Sequence, residues 1–501
     1  MKSGLRQRGR ATGAALAGIG LLAAGCAVGP TYRRPEVPIP SRAPALPPEG
    51  FKAAQPQDEV LRGRWWEIFA DPKLNALEDQ IDVSNQNIAQ AEAQFRVARA
   101  IARGLRGDLF PTVSAGAAVT RSTGSKRAGA AAPIAGTVYE LSGDVSYEVD
   151  LWGRVRRSIE AGVANAQAFA ADLETVRLTI HAELASDYFQ LRGIDAQTDL
   201  LESSIAAYGK ALQLTINRHD QGVVSGVDVA QAQTQLETTR AAATELKLAR
   251  AQLEHAIATL LGKPAQDFSL ERLSLAAPPP AVPEVIASQL LERRPDVAAA
   301  ERRVAAANAQ IGVAKAAYFP TLSLSASGGY AGSEIAHLIS LPNRFWSIGA
   351  SLLETLFSGG KRRAAVEQAK AAYDVNVAVY RQQVLVAFQE VEDNLTSLSF
   401  LTEETAQQGA ASEAALRSLA LAENRYQGGI TSYLEVVIAQ TAALASQRSL
   451  VELQTRRMTT SVTLVKAVGG GWRESDLPSG WTALSRPPAP PPSATEKTRA
   501  Q

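Results

Sequence analysis

The sequence predicts a mixed, mainly α-helical fold built from an internal duplication, with two strand pairs set among very long helices. Three observations carry that expectation. A helix-to-helix turn is written twice: Asn217-Arg218-His219-Asp220-Gln221-Gly222-Val223-Val224-Ser225-Gly226-Val227-Asp228-Val229 returns, about 207 residues on and without a gap, as Asn424-Arg425-Tyr426-Gln427-Gly428-Gly429-Ile430-Thr431-Ser432-Tyr433-Leu434-Glu435-Val436. Phe110-Pro111-Thr112 and Phe319-Pro320-Thr321 each close a helical pattern, and beyond them the apolar period falls from 3.6 to 2. From Arg156 to Asp220 the helical pattern runs for about 65 residues, roughly 100 Å at the α-helical rise, which no compact domain needs.

Composition narrows the classes. The 501 residues are 46% hydrophobic, and 51 Lys plus Arg nearly cancel 50 Asp plus Glu. No basic stripe with interleaved aromatics is present, so a nucleic-acid partner has no support. Cys26 is the single cysteine, which excludes an intramolecular disulfide and a multi-cysteine metal site. Lys2, Arg6, Arg8 and Arg10 precede an apolar run from Ala11 to Gly25 that is too short to span a bilayer. Leu22-Ala23-Ala24-Gly25-Cys26 resembles a bacterial lipoprotein cleavage box, with Ala23 where Leu is more usual. That resemblance implies a signal peptide over 1–25 and a mature chain starting at Cys26, bearing a thioether-linked diacylglycerol and an acylated amine such as palmitate. Ala27, where Asp would retain the chain elsewhere, implies sorting to the outer membrane.

In chain order, residues 26–70 form an extended, lipid-anchored segment, Pro-rich from Pro30 to Pro48 and ending in the apolar anchor Trp65-Trp66-Glu67-Ile68-Phe69. The first repeat covers 71–262. Asp71-Pro72 reads as an N-cap and first-turn proline opening a helix toward Leu105. After Pro111, Val113, Ala115, Ala117 and Val119 alternate as a strand. A second strand puts Tyr139, Leu141, Val145, Tyr147 and Val149 on one face and Glu140, Ser142, Asp144, Ser146 and Glu148 on the other, at a length that suits a tilted outer-membrane strand. Gly153 turns the chain into the long helix, whose seam Leu173, Val176, Ile180, Leu184, Leu191, Ile194, Leu201, Ile205, Tyr208 and Leu212 steps as in a coiled coil. A return helix of about 35 residues leads to Gly262.

A Pro-rich joint occupies 263–292, and the second repeat, 293–471, follows the same plan. Leu322, Leu324 and Ala326 alternate after Pro320, a fourth strand is expected from Phe345 to Phe357, and Gly360 turns into the second long helix. Residues 472–501 form a closing segment and a disordered tail, with the run Pro487-Pro488-Ala489-Pro490-Pro491-Pro492.

At the repeated turns, Gly222 and Gly429 suit the left-handed residue that closes a helix, Ser225 and Ser432 the cap of the next, and Asp228 and Glu435 a first-turn carboxylate. Nothing suggests catalysis. His181, His219, His255 and His337 stand at no ligand spacing, and Gly359-Gly360-Lys361-Arg362 lacks both the first Gly and the Ser or Thr of a phosphate loop. No enzyme, metal or cofactor is expected beyond the covalent lipid on Cys26.

Arg294-Pro295-Asp296 with Ala300-Glu301, Phe319-Pro320-Thr321-Leu322-Ser323-Leu324, the Arg425-Tyr426-Gln427-Gly428-Gly429 turn with Leu434-Glu435-Val436, and Gly469-Gly470-Gly471-Trp472 together resemble the outer membrane factor family of TolC-type channels. The opening Cys26-Ala27-Val28-Gly29-Pro30-Thr31-Tyr32 resembles its lipoprotein branch, which serves resistance-nodulation-division (RND) pumps. The resemblance covers about Cys26 to Trp472. It implies a homotrimer in which each protomer gives four strands to one twelve-stranded outer-membrane β-barrel, continuous with a hollow α-helical barrel crossing the periplasm. It implies a passive efflux duct working with a periplasmic adaptor (membrane fusion) protein and an inner-membrane RND-type pump, and held in outer-membrane lipid.

By the same resemblance the glycine turns lie at the periplasmic tip, with Asp228, Tyr426, Thr431 and Glu435 in the constriction. Thr431 stands where one family member has a salt-bridging Arg. A helix-capping role for Asp228 and Glu435 is the competing reading. Two other functions stay open: a type I secretion conduit, and a coiled-coil periplasmic lipoprotein that forms no pore.

Overall fold

The computed structural model describes residues 27–37, 63–122, 136–274 and 293–478. The signal peptide, Cys26, residues 38–62, the loop 123–135, most of the Pro-rich joint and the tail beyond 478 lie outside the described residues.

Asp71 opens helix α1 (Pro72–Ser84), its carboxylate accepting the backbone N–H groups of Lys73 at 2.9 Å and Leu74 at 3.2 Å. This helix does not run unbroken toward Leu105. Asn85 is extended, and its side-chain oxygen caps a second helix, α2 (Gln86–Gly107), by accepting from Asn87 at 2.9 Å and Ile88 at 3.1 Å. Its amide nitrogen donates to the Leu260 carbonyl at 2.7 Å, pinning the break to the end of the return helix. The apolar period continues across Asn85, which hides the break in the sequence.

Neither Phe-Pro pair lies inside its helix. Helix α2 ends at Gly107, and α5 (Pro295–Ala316) also stops before its Phe-Pro, since the residue ahead of a proline disfavours helical dihedrals. Strands β1 (Thr112–Ser122) and β3 (Thr321–Gly332) begin directly after Pro111 and Pro320. Their partners are β2 (Gly136–Val149) and β4 (Arg344–Leu353). Strand β4 stops short of Phe357: Glu354 turns to Arg362 of the following helix, 2.7 Å away, and leaves the ladder.

The four strands form one antiparallel sheet in the order β1-β2-β3-β4. Register turns local alternation into two chemically distinct faces. Val113, Val145, Ala326 and Ile348 line up across all four strands, and Tyr147, Leu324 and Ala350 form the neighbouring row. The opposite face aligns Ser114, Asp144, Ser327 and Ser347. Strands β1 and β4 are edges, exposed along almost their whole length.

The duplication is matched in length. Helices α3 (Arg154–Asp220) and α6 (Lys361–Gln427) each have 67 residues, and their return helices α4 (Gly226–Leu260) and α7 (Tyr433–Ala467) each have 35. Each long helix starts from a left-handed glycine, Gly153 at φ 81° and Gly360 at φ 86°. Of the expected seam, Leu173, Ile180, Leu184, Leu191, Leu201 and Tyr208 are buried. Where α3 meets α7, Gly193 leaves no room for a side chain: a Cβ there would lie 2.2 Å from Thr455 Oγ1.

Trp65, Trp66 and Phe69 fill the largest apolar core together with Leu74, Ile81, Leu184, Tyr188, Val462 and Val465. Two buried clusters beside it pair charge with charge. Asp195 is held by Arg192 at 3.1 Å and Arg250 at 2.8 Å, while Arg250 also reaches the Leu270 carbonyl at 2.7 Å, binding the start of the joint to the helices. Arg294 joins Asp296 and Glu390, each at 2.6 Å, to the Ala467 carbonyl at 3.0 Å.

His181 stacks on Trp66 with ring centroids 4.5 Å apart, its Nδ1 2.6 Å from Glu78 Oε2 and its Nε2 3.5 Å from Asp82 Oδ1. Burial works against a charged imidazole, but hydrogen bonds and charge from Asp82 and Glu78 outweigh it and push His181 up to about 9. The folded-state value is raised, so the stabilisation is complete below the ordinary histidine value near 6.5 and is lost as pH rises through about 9. Thermal melting of the detergent-solubilised protein should therefore fall between pH 7 and 10. His181→Gln should lower melting at pH 7, by stranding Glu78 in the core, and flatten that pH dependence; a slope unchanged in the variant would refute the assignment.

Candidate functional site

The two glycine turns sit side by side, and each closes its long helix in the same way. Val223 N–H donates to the Arg218 carbonyl at 2.9 Å and Gly222 N–H to that of His219 at 2.8 Å. In the second copy, Ile430 bonds Arg425 and Gly429 bonds Tyr426, both at 3.0 Å. Gly222 and Gly429 take φ of 73° and 72°, the left-handed geometry that this helix ending requires.

Beyond the glycines the copies diverge. Asp228 Oδ2 accepts the backbone N–H and the hydroxyl of Ser225, each at 3.0 Å, so the carboxylate is spent at the start of α4. Ser432 makes no side-chain cap at α7. Glu435, one methylene longer, leaves its helix end: Arg425 donates to it at 2.7 Å, and Thr431 donates its hydroxyl to the other oxygen. Thr431 thus meets Glu435 by hydrogen bond, and the guanidinium comes from Arg425.

Tyr426 and Tyr433 pack edge to face at 5.2 Å in a small core with Ala232 and Val436. Burial pushes the Tyr433 hydroxyl up to about 12, keeping it neutral. Arg218 crosses from the first turn to the second, its Nη1 donating to the Tyr426 carbonyl and its Nη2 to that of Gln427, both at 2.9 Å. Its guanidinium lies 4.8 Å from the centre of the Tyr426 ring. Outward from this cluster stand exposed apolar side chains: Val223, Val227, Ile430, Leu434 and Ile438.

Asp228, Tyr426, Thr431 and Glu435 all fall at this end of the helical arms, but only Thr431 and Glu435 touch each other directly. Sequence reasoning overlooked Arg218 and Tyr433. Arg218 is identical to its counterpart Arg425, and that identity was the available signal, but nothing in the pattern says that one reaches across and the other folds back.

The other singled-out residues lie at the far end. Pro111, Gly153, Pro320 and Gly360 mark the strand-to-helix junctions, where Trp152 stacks on Phe319 at 4.7 Å and donates to the Pro320 carbonyl at 2.8 Å. Val28 N–H donates to the Trp152 carbonyl at 2.9 Å, so the described chain enters at this same level. Of the histidines, His181 is buried in the cluster above, His219 touches the Val224 carbonyl at 3.0 Å, and His255 and His337 are exposed. Among the described residues no group of three His, Cys, Asp or Glu could hold a metal ion, and no helix is long and apolar enough to cross a membrane.

Residues 77–263 and 286–470 match the family model described as outer membrane efflux protein. The antibiotic efflux pump outer membrane protein ArpC of Pseudomonas putida is 31% identical over 462 residues, covering 90% of this chain and 93% of that protein. The toluene efflux pump outer membrane protein TtgC, also of Pseudomonas putida, matches with the same identity and coverage. Among solved structures, the outer-membrane channel OprN superposes with a TM-score of 0.83 at 32% identity, over 89% of this chain and all of that one.

Asp228→Ala should cost the first turn of α4 about 1 kcal/mol, read as faster amide hydrogen exchange at residues 226–230. Glu435→Ala should change exchange at 433–437 far less, because its carboxylate bonds side chains and not the helix end. Equal effects at both turns would contradict the divergence described.

Proposed function

The chain belongs to the outer membrane efflux protein family and is the outer-membrane channel component of an efflux system; from that premise we propose how it works. Three copies close into one tube, and an inner-membrane RND-type pump, joined through a periplasmic adaptor protein, drives solutes through it across the periplasm and outer membrane. The single observation that carries this is the sheet. It has one apolar and one polar face over four strands and two open edges. In hydrocarbon an open edge is untenable, so β1 of one copy must meet β4 of the next, with apolar rows toward lipid and polar rows toward water.

The helical arms then reach roughly 100 Å into the periplasm, with the glycine turns at their tip. Asp228, Tyr426, Thr431 and Glu435 occupy the constriction region in this reading, Tyr426 from within its small core, and the exposed apolar side chains beside them meet the adaptor. Cys26 carries the lipid: Ala27 and Val28 lie against Gly153 and Trp152 at the strand-to-helix junction, the level at which an acyl chain would enter the periplasmic leaflet. The relatives are named for antibiotic and for toluene efflux at equal identity, so cargo is set outside this chain, by the pump. Those names favour efflux over secretion, and a pore-free coiled-coil lipoprotein would have no use for the two-faced sheet.

Purified protein should run as a trimer and pass steady current in planar bilayers. Asp228→Asn with Glu435→Gln should reduce cation preference, and a monomer or an unchanged reversal potential would count against this reading. Separately, mass spectrometry of protein made in a Gram-negative host should find acyl chains on Cys26 that vanish in Cys26→Ser with the channel current retained; an unmodified wild-type thiol would remove the anchor.

A further inference from the structure

The two repeats are related by constant shifts around the sheet. Thr112 and Thr321, which open β1 and β3, are 209 residues apart, and their partners Ser146 and Leu353 are 207 apart, as are Gly153 and Gly360. Within one chain the halves meet where β2 pairs with β3. The outer edge of β4 has no such neighbour. Moving β2 forward by 207 onto β4, and β3 back by 209 onto β1, writes out the pairing that a second copy would make there.

The strand ends show what that pairing would complete. Strand β2 overshoots β1: Tyr147, Glu148 and Val149 have partners only in β3, at Leu324, Ser323 and Leu322. Their counterparts are Glu354, Thr355 and Leu356, which lie past the last β3 pair, Thr321 with Leu353, and belong to no strand. The shift sets them against Ala115, Ser114 and Val113 of the next copy. Leu356 then opposes Val113, and the two are bare in the lone chain, at 92% and 73% exposure. Both fall on the apolar face, since Leu356 stands an even number of residues from Ile348. A slip of two residues would also keep the faces, but it would carry the next copy's helical arms about 7 Å out of level. The bond from Glu354 to Arg362 is no obstacle: Glu148 stays in the β2 ladder while bonding Arg154 at the same 2.7 Å.

The helices obey the same shifts. Ala306 of α5, buried at 4% exposure beside Ala164 of α3, corresponds to Val97 of α2, at 60%. Asp172, ion-paired to Arg303, corresponds to Val379, also exposed. Surface that is covered inside the protomer reappears as bare valine where a copy would sit.

We propose that residues 354–356 are the closing segment of the ring, joining the ladder only against β1 of a second copy, with Leu356 opposite Val113. The proposal deepens the conduit reading above and rests on it. Trp152, which stacks on Phe319 inside the protomer, corresponds to Gly359, so the seam between copies has no such stack and leans on Leu356.

The test uses the full-length protein in detergent, with Cys26 the only cysteine besides those introduced. Val113→Cys with Leu356→Cys should oxidise to covalent dimers and trimers that reduction dissolves, because directly opposed Cβ atoms lie about 4.5–5.5 Å apart. Ala117→Cys with Leu352→Cys, opposed in the same register, should do likewise. Ala117→Cys with Leu356→Cys, about 13 Å out of step, should not. In the wild-type assembly, amide exchange over 354–356 should match that over 147–149, about a hundredfold slower than in free peptide. A trimer by mass that links Ala117→Cys to Leu356→Cys instead, that links only within single chains, or whose wild-type 354–356 exchanges as fast as free peptide would overturn the closing segment and leave the conduit standing. A protein that is monomeric by mass would sink the conduit reading, and the seam with it.

Discussion

A backbone amide in hydrocarbon must find its partner within protein, and most of this architecture follows from that constraint. The sheet is too small to close on itself, and both of its edge strands are exposed. Closure has to come from copies, and copies arranged around an axis enclose a lumen. The polar row Ser114, Asp144, Ser327 and Ser347 is then aligned for water, as Val113, Val145, Ala326 and Ile348 are for lipid.

The duplication supplies the rest economically. Helix pairs of 67 and 35 residues recur without an insertion, so a protomer presents two equal arms to the ring. Equality of length leaves chemistry free to differ. Asp228 stays at its helix end, whereas Glu435 reaches out to Arg425 and Thr431. One methylene separates a group bonded at its own helix end from one that reaches side chains across its turn.

Much of this was legible in the residues. Alternation exposed the strands, the left-handed glycines marked the turns, and the repeat offset showed that both halves share one plan. The break at Asn85 was not legible, because an N-cap inside an uninterrupted apolar period looks like any other polar residue. The end of β4 was misplaced because Glu354 answers to Arg362, which the period of a strand cannot reveal. Asp228, Tyr426, Thr431 and Glu435 fall together at one end of the arms, but their pairings depend on which side chain crosses between hairpins. Arg218 and Arg425 are the same residue in the same local context, and only the packing of α6 beside α3 separates their roles.

Gly193 has a mechanical consequence. With a Cβ position only 2.2 Å from Thr455 Oγ1, the backbone of the first arm rests directly on the Thr455 side chain of the second, and the crossing acts as a fulcrum. From there to Asp220 is roughly 40 Å of helix. A tilt of about 5° about that bearing would carry the far end some ~3–4 Å sideways over such a lever. A rod that long converts a rotation too slight to disturb its own core into a displacement the width of a water molecule.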